Sequence, residues 1–282
     1  MSETLIISIL AASITAGTPI LFAALGELIA ERSGIMNLGV DGMMLVGAVT
    51  GFMITVNTGN PWFGVGMALA AGGLLALIHA YLTVTLRANQ VVSGLALTLF
   101  GSGLSDYLGK AYVGMRAEHT FGKLPIPGLS DIPIIGPVVF KQDILVYISY
   151  VLVAATAFYL YKTRAGLFLR ALGENPAAVD SVGINVFRLR YFYVMIGGAL
   201  AGLGGAYLSL AYAPSWLENM TAGRGWIAVA LVIFAIWDPW RALAGSYLFG
   251  GVDALGFHLQ VIGIPISIFI LNMLPYIFTI LV

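Results

Sequence analysis

The sequence contains no cysteine, which excludes disulfides and thiolate-held metals and leaves the redox compartment unread. Charge is also scarce. Asp, Glu, Lys and Arg make up 9% of the 282 residues, against about 25% in a soluble domain. Hydrophobic residues make up 60%, and mean hydropathy is +0.96. So few charges do not cover a water-facing surface for a chain of this size, so bilayer must solvate most of the exterior. The two signs balance to a formal net charge of zero, and nothing points to nucleic acid or an acidic partner. There is no Gly-x-x-x-x-Gly-Lys-Ser/Thr stretch, so the chain does not itself cradle ATP phosphates. A nucleophile elbow, a His-Glu-x-x-His pair and paired intramembrane carboxylates are missing too, which leaves an enzyme reading without support. His79 and His258 stand alone without a partner at ligand spacing, so no metal site is expected.

What is present is long apolar runs. A helix needs roughly 20 apolar residues to cross the hydrocarbon core. Candidates are 4–30, 38–57, 62–86, 91–110, 142–161, 191–213, 224–237, 242–259 and 264–282. The expected fold is therefore all-α, a single polytopic transmembrane bundle over 1–282 with about nine spans. Met1-Ser2-Glu3-Thr4 has no basic n-region, and the apolar run from Leu5 to about Ile29 is too long for a signal-peptide core. It reads as a retained first span. Arg32, Arg87, Lys162, Arg164, Arg170, Arg188, Arg190 and Arg241 fall in one set of connections. The opposite set holds Lys110, Arg116, Lys123, Lys141 and Arg224. The richer set belongs in the cytoplasm, which puts the N-terminus outside and the C-terminus inside. Gly47 with Gly51, Gly198 with Gly202 and Ala68 with Gly72 have the spacing that lets helix backbones approach in lipid. The expected use is packing within the bundle.

Two connections carry more signal than a plain turn. In the cytoplasmic segment 162–190, Gly173 suits the end of one short helix. Asn175 suits the N-cap and Pro176 the first position of the next. Gly183 suits its C-terminal cap. The capped helix carries Ala177 and Ala178 and is flanked by Arg170 and Glu174, a compact handle for another protein. The outer segment 111–141 has Pro125, Pro127, Pro133 and Pro137 among glycines and isoleucines. It suits a cover over the pathway, a docking point for an external partner, or a loop lying on the bundle.

Ionisable groups at membrane depth suggest function by default. Asp41, Asp106, Asp253 and His258 qualify, with Asp106 and Asp253 read as satisfied packing groups rather than substrate ligands, and Asn37, Asn89 and Gln90 are poorly placed for lipid. Asp41 stands out, in Asn37-Leu38-Gly39-Val40-Asp41-Gly42 at the start of a Gly-rich span. That pattern suits a broken helix lining a cavity, or an interfacial cap. Glu27, Glu31 and Arg32, like Asp238 and Arg241, read as interfacial anchors.

The segment Arg170-Ala-Leu-Gly-Glu-Asn-Pro-Ala-Ala-Val-Asp-Ser-Val-Gly-Ile184 resembles the coupling-helix loop of ABC-importer permeases for ribose, other simple sugars, nucleosides and branched-chain amino acids. Glu31-Arg-Ser-Gly-Ile-Met-Asn-Leu-Gly-Val-Asp-Gly-Met-Met44 is similar to that family's motif at its second span. Ala88-Asn-Gln-Val-Val-Ser-Gly94, Pro127-Gly-Leu-Ser-Asp-Ile-Pro133 and Gly223-Arg-Gly-Trp-Ile-Ala-Val-Ala-Leu-Val-Ile-Phe234 lean toward the nucleoside branch. The resemblance implies a type II-like ABC importer permease in a bacterial or archaeal plasma (inner) membrane. It implies a second permease subunit (a homologous chain or a second copy), an ABC ATPase holding ATP and Mg, and an extracytoplasmic substrate-binding protein. No cofactor is implied in this chain. Asn37, Asp41, Asn89, Gln90 and Ser93 become candidates for the substrate pathway. Arg170, Gly173, Glu174, Asn175, Pro176, Ala177 and Ala178 become candidates for ATPase coupling. A sugar or a flavin is the alternative cargo, and an ion-coupled secondary transporter or a passive channel the alternative machine. The resemblance also implies a short polar tail past the last span, whereas this sequence stops at Ile280-Leu281-Val282.

Overall fold

The computed structural model describes residues 3–261 together with Met273 and Ile277. Its helices are α1 (Glu3–Arg32), α2 (Val40–Thr58), α3 (Pro61–Ala80), α4 (Gln90–Gly109) and α5 (Ile135–Val139). They continue with α6 (Ile144–Lys162), α7 (Arg164–Glu174), α8 (Pro176–Ser181), α9 (Val186–Tyr207), α10 (Arg224–Phe234) and α11 (Pro239–Val261). A π turn extends α3 over Tyr81–Thr85 and another extends α9 over Leu208–Tyr212. Short polar residues start several of these elements by satisfying first-turn N–H groups that have no helical partner. Asn60 accepts from Trp62 and Phe63, Asn89 from Val91 and Val92, Asp143 from Leu145 and Val146, and Asn185 from Arg188.

Six helical stretches among the described residues are long and apolar enough to cross a membrane. They are Leu5–Arg32, Val40–Thr58, Pro61–Thr85, Gln90–Tyr112, Ile144–Lys162 and Val186–Tyr212. These match the first six runs read from the sequence within a few residues. The run 224–237 becomes the 11-residue α10, which at 1.5 Å per residue is too short to span. Ile236 and Trp237 take positive φ and end it early. The run 242–259 lies inside α11, and 264–282 falls outside the described residues apart from Met273 and Ile277. The count of nine is therefore not reached among the described residues.

The centre of the bundle is a seam of small residues. A Cβ on Gly47 would lie 2.3 Å from the Gly202 carbonyl oxygen, one on Gly72 2.2 Å from that of Gly198, and one on Gly202 2.4 Å from that of Ala68. The three small-residue pairs thus meet one another where α2, α3 and α9 cross. On the far side of α9, a Cβ on Gly26 of α1 would meet the Gly197 oxygen at 2.3 Å. α1 then packs on α11 through Gly17 and Gly250. Where bulk apolar side chains gain nothing over lipid, backbone-to-backbone approach supplies the contact.

One end of the bundle gathers the richer basic set. Arg32 lies over the Trp237 ring and Arg170 over Tyr161, whose hydroxyl donates to Asp238 at 3.1 Å. Arg190 donates to the Ser33 carbonyl at 3.2 Å. At the other end, segment 111–141 folds back on the helix tips. Phe121 donates to the Leu210 carbonyl and its ring meets Trp62 edge-on, while Val113 pairs with the buried Trp216.

The seam yields a prediction. A Cβ on Gly205 would sit 1.8 Å from the Met44 carbonyl oxygen, whereas one on Gly66 meets nothing within 4 Å. Gly205→Ala is expected to cost at least the roughly 1–3 kcal/mol of an overpacked core. Gly66→Ala is expected to be neutral. Thermal unfolding of the purified protein in detergent separates the two, and equal melting temperatures would contradict the seam.

Candidate functional site

Between α1 and α2 the chain runs through a non-helical stretch, 33–39, that is mostly buried. Backbone N–H and C=O groups removed from water must find partners, and here side chains from four helices supply them. From α1, Glu27 accepts the Asn37 N–H at 2.7 Å. From α4, Gln90 accepts the Met36 N–H at 2.9 Å and donates to the Gly34 carbonyl at 3.4 Å, and Thr98 donates to the Leu38 carbonyl at 2.8 Å. From α3, His79 Nε2 lies 3.0 Å from the Met36 carbonyl, and Nδ1 lies 2.9 Å from Ser93 Oγ. A carbonyl only accepts, so Nε2 carries the proton and Nδ1 accepts from Ser93. From α9, Arg190 holds the Ser33 carbonyl. Asn37 closes the turn on itself, its Oδ1 accepting from Gly39 N at 2.9 Å.

Asp41, the second residue of α2, is 6% exposed. Its Oδ1 accepts the Gly225 N–H at 2.9 Å, and its Oδ2 accepts from the Thr221 hydroxyl at 3.3 Å. It therefore caps a helix 180 residues away in sequence, satisfying a first-turn donor of α10. Gly225 is required at that contact, since a Cβ there would lie 2.4 Å from the Asp41 Cα. Ahead of α10, residues 213–223 form an irregular stretch in which Asn219 and Ala222 take positive φ.

The candidate pathway residues thus fall into two groups. Asn37, Gln90 and Ser93 converge on the 33–39 stretch, and Asp41 ties its far end to α10. Asn89 stands apart as the exposed N-cap of α4. Sequence reasoning missed Glu27 and Arg190 as partners of this stretch. Glu27 is 1% exposed and is not an interfacial anchor. It also sits one turn from Glu31, which accepts from the Trp237 indole, so closely spaced carboxylates are present after all. Their i, i+4 spacing was the available signal.

The coupling candidates sit at the basic end. Asn175 accepts the Ala178 N–H at 3.2 Å, Pro176 occupies the first turn of α8, and Gly183 takes φ +81°. These are the caps read from the sequence. Glu174, Asn175, Ala177 and Ala178 are exposed and Pro176 is half-buried. Val179 turns inward and joins Leu169 and Leu172 in the core. Gly173 does not end α7, which runs on to Glu174. It is a contact instead: a Cβ there would meet the Arg32 carbonyl oxygen at 2.5 Å. The end of α7, which leads into the exposed α8, thus packs closely on the end of α1, just ahead of the 33–39 stretch.

A cavity of about 330 Å³ between α1, α6 and α9 is lined by Ile29, Ala155, Thr156, Tyr159, Phe192, Tyr193 and Ile196. Its two tyrosine hydroxyls bond each other at 2.8 Å. It offers little to a polar solute.

Long apolar helices packed through glycine, with irregular backbone satisfied inside them, define a multi-pass membrane protein with an exposed, capped helix at one end. The chain belongs to the family of permease components of branched-chain amino acid transport systems, whose model matches residues 9–282. It is 46% identical over 265 residues to a Haloferax volcanii protein named "Putative glucose ABC transporter permease protein", covering 92% of this chain and 80% of that relative. It is 36% identical over 293 residues to a guanosine ABC transporter permease protein of Bacillus subtilis, covering 97% and 90%. It is 37% identical over 283 residues to a nucleoside ABC transporter permease protein of Lactococcus lactis subsp. cremoris, covering 94% and 87%. No solved structure matches.

Glu27→Ala leaves the buried Asn37 N–H without its acceptor and is expected to cost about 1–3 kcal/mol. Glu27→Gln keeps an acceptor oxygen and is expected to recover most of that loss. Unfolding temperatures of the two purified variants check the assignment. Equal losses would mean that charge, rather than the bond to Asn37, is what this position supplies.

Proposed function

We propose that this chain forms half of the translocation pathway of an ATP-driven importer for nucleosides in a bacterial or archaeal plasma membrane. The observation that carries this reading is the match over nearly the whole chain to guanosine and nucleoside permease proteins. The exposed α8, capped by Asn175 and joined to α7, whose Gly173 packs on the end of α1, adds a mechanical rationale. On this reading the chain pairs with a second permease subunit and stands on ABC ATPases that bind ATP and Mg. An extracytoplasmic binding protein delivers the cargo, and segment 111–141 faces it.

ATP binding draws the ATPases together, and α8 follows the groove in which it sits. Gly173 packs against the Arg32 carbonyl, so the displacement reaches the 33–39 stretch. That stretch is pinned to α1, α3, α4 and α9, and it leads into α2. Asp41 carries the movement to α10 through Gly225. ATP drives the cycle because it binds one of the two states more tightly; equal affinity would shift nothing.

Glucose is the second reading, favoured by the name of the Haloferax volcanii relative. Uptake of labelled guanosine, uridine and glucose by cells with and without the gene decides between them. Loss of nucleoside uptake on deletion, with no competition by glucose, is the expected result. Loss of glucose uptake alone would move the cargo to the second reading.

Asn175→Ala removes the cap of α8, worth about 1 kcal/mol, and Glu174→Ala removes an exposed carboxylate beside it. Both variants are expected to fold and to reduce solute-stimulated ATPase activity of the assembled complex. Unchanged transport and ATPase activity in both would remove α8 from the mechanism.

A further inference from the structure

The ion pair found among the described residues lies where the chain re-enters the bundle. Arg224, the first residue of α10, donates through Nη2 to Asp253 of α11 at 3.1 Å. Its guanidinium carbon lies 5.6 Å from the centroid of the Tyr212 ring, at the end of α9. Nη1 donates to the Thr221 carbonyl at 3.2 Å. Three separate elements thus bring a planar cation, a carboxylate and an aromatic ring together.

This cluster differs from Glu27 and Asp41, the acids of the site above. Glu27 and Asp41 are committed to backbone N–H groups and are almost sealed. The Arg224 and Asp253 side chains keep 13% and 22% of their exposure. Beside them runs the irregular stretch 213–223, on which Glu218 and Asn219 are exposed. That stretch runs from the end of α9, where Trp216 pairs with Val113 of segment 111–141, back to Asp41 inside the bundle through Thr221, so the cluster lies between the outer end and the interior. A charge pair used only for packing is a poor choice, since apolar residues of similar volume often stabilise as well or better. A pair with one open edge, by contrast, offers donors and an acceptor to a visitor.

We propose that Arg224, Asp253 and the Tyr212 ring form a contact point for the solute on its way through the pathway, suited to a neutral molecule such as a nucleoside. Asp253 accepts from a base N–H or a sugar hydroxyl, the guanidinium donates to a base carbonyl, and Tyr212 offers an aromatic face. The pair is neutral overall, so it receives an uncharged solute without leaving either member unbalanced. The proposal rests on the reading of this chain as a solute permease and names residues for it.

The test uses the whole importer, with its ATPase and binding protein, in liposomes. Maximal transport rates of guanosine and uridine are measured at saturating binding protein for the wild type, Arg224→Lys, Asp253→Asn and Tyr212→Leu. Loss of a bond to a charged group is expected to change the guanosine-to-uridine ratio by about tenfold in at least one variant. Rates that fall together, with the ratio held within about twofold, describe a structural pair and overturn the proposal. A wild-type complex that carries neither nucleoside would overturn the functional reading itself, before any variant is compared.

A second readout does not depend on the variants of the pair assembling. The chain has no cysteine, so Glu218→Cys gives it a single thiol, whose reaction with a membrane-impermeant reagent is read on this chain's own band. Labelling from the outer side that slows in excess transported nucleoside supports the contact. Labelling that ignores the solute overturns it.

Discussion

The structure depends on satisfying backbone polar groups where no water is available. In an apolar bundle a helix satisfies its own, but residues 33–39 are not helical. Backbone groups along that stretch are instead held by side chains: Glu27, His79, Gln90, Thr98 and Arg190, contributed by α1, α3, α4 and α9. Losing one of them exposes an N–H or a carbonyl that has nothing else to bond. The stretch is therefore irregular in shape yet tightly determined, and the helices that hold it are tied to one another through it.

The same constraint governs α10. An 11-residue helix that begins inside the protein leaves its first N–H groups without partners. Asp41 reaches across from α2 to accept one of them. α2 is thereby fixed at its base to α10 and to Thr221 just ahead of it, and along its length to α3 and α9 through glycine contacts. A helix held at so many points moves with its neighbours rather than bending alone. On the proposed reading such an element suits a machine in which movement at one end must be felt at the other, with the contact of Gly173 and Arg32 as its entry point.

The family assignment and this mechanical reading support each other without being the same claim. Similarity to permease components over residues 9–282 says what kind of protein this is. The geometry says why particular residues of the 31–44 motif are used. Gly34 takes φ +84° in the turn after α1, Asn37 caps its own turn, and Asp41 caps α10. The basic residues that set the expected orientation converge at one end because alternate helix ends share that face. The aromatic rings of Tyr161 and Trp237 collect two of them there.

The sequence by itself determined the class of fold, because composition and run length alone decide whether lipid or water solvates a surface. Six of the spanning stretches, the small-residue seam and the caps of α8 were legible for the same reason: each is a local pattern, read from neighbours within a turn or two. Only the tertiary structure decided that Asp41 serves α10, that Glu27 is buried against Asn37, that Gly173 is a contact rather than a helix end, and that Arg224 faces Asp253. These partners lie up to 184 residues apart in the chain. No spacing rule connects them. A hydrogen bond acts over about 3 Å, and which groups come that close is settled only when the helices have packed.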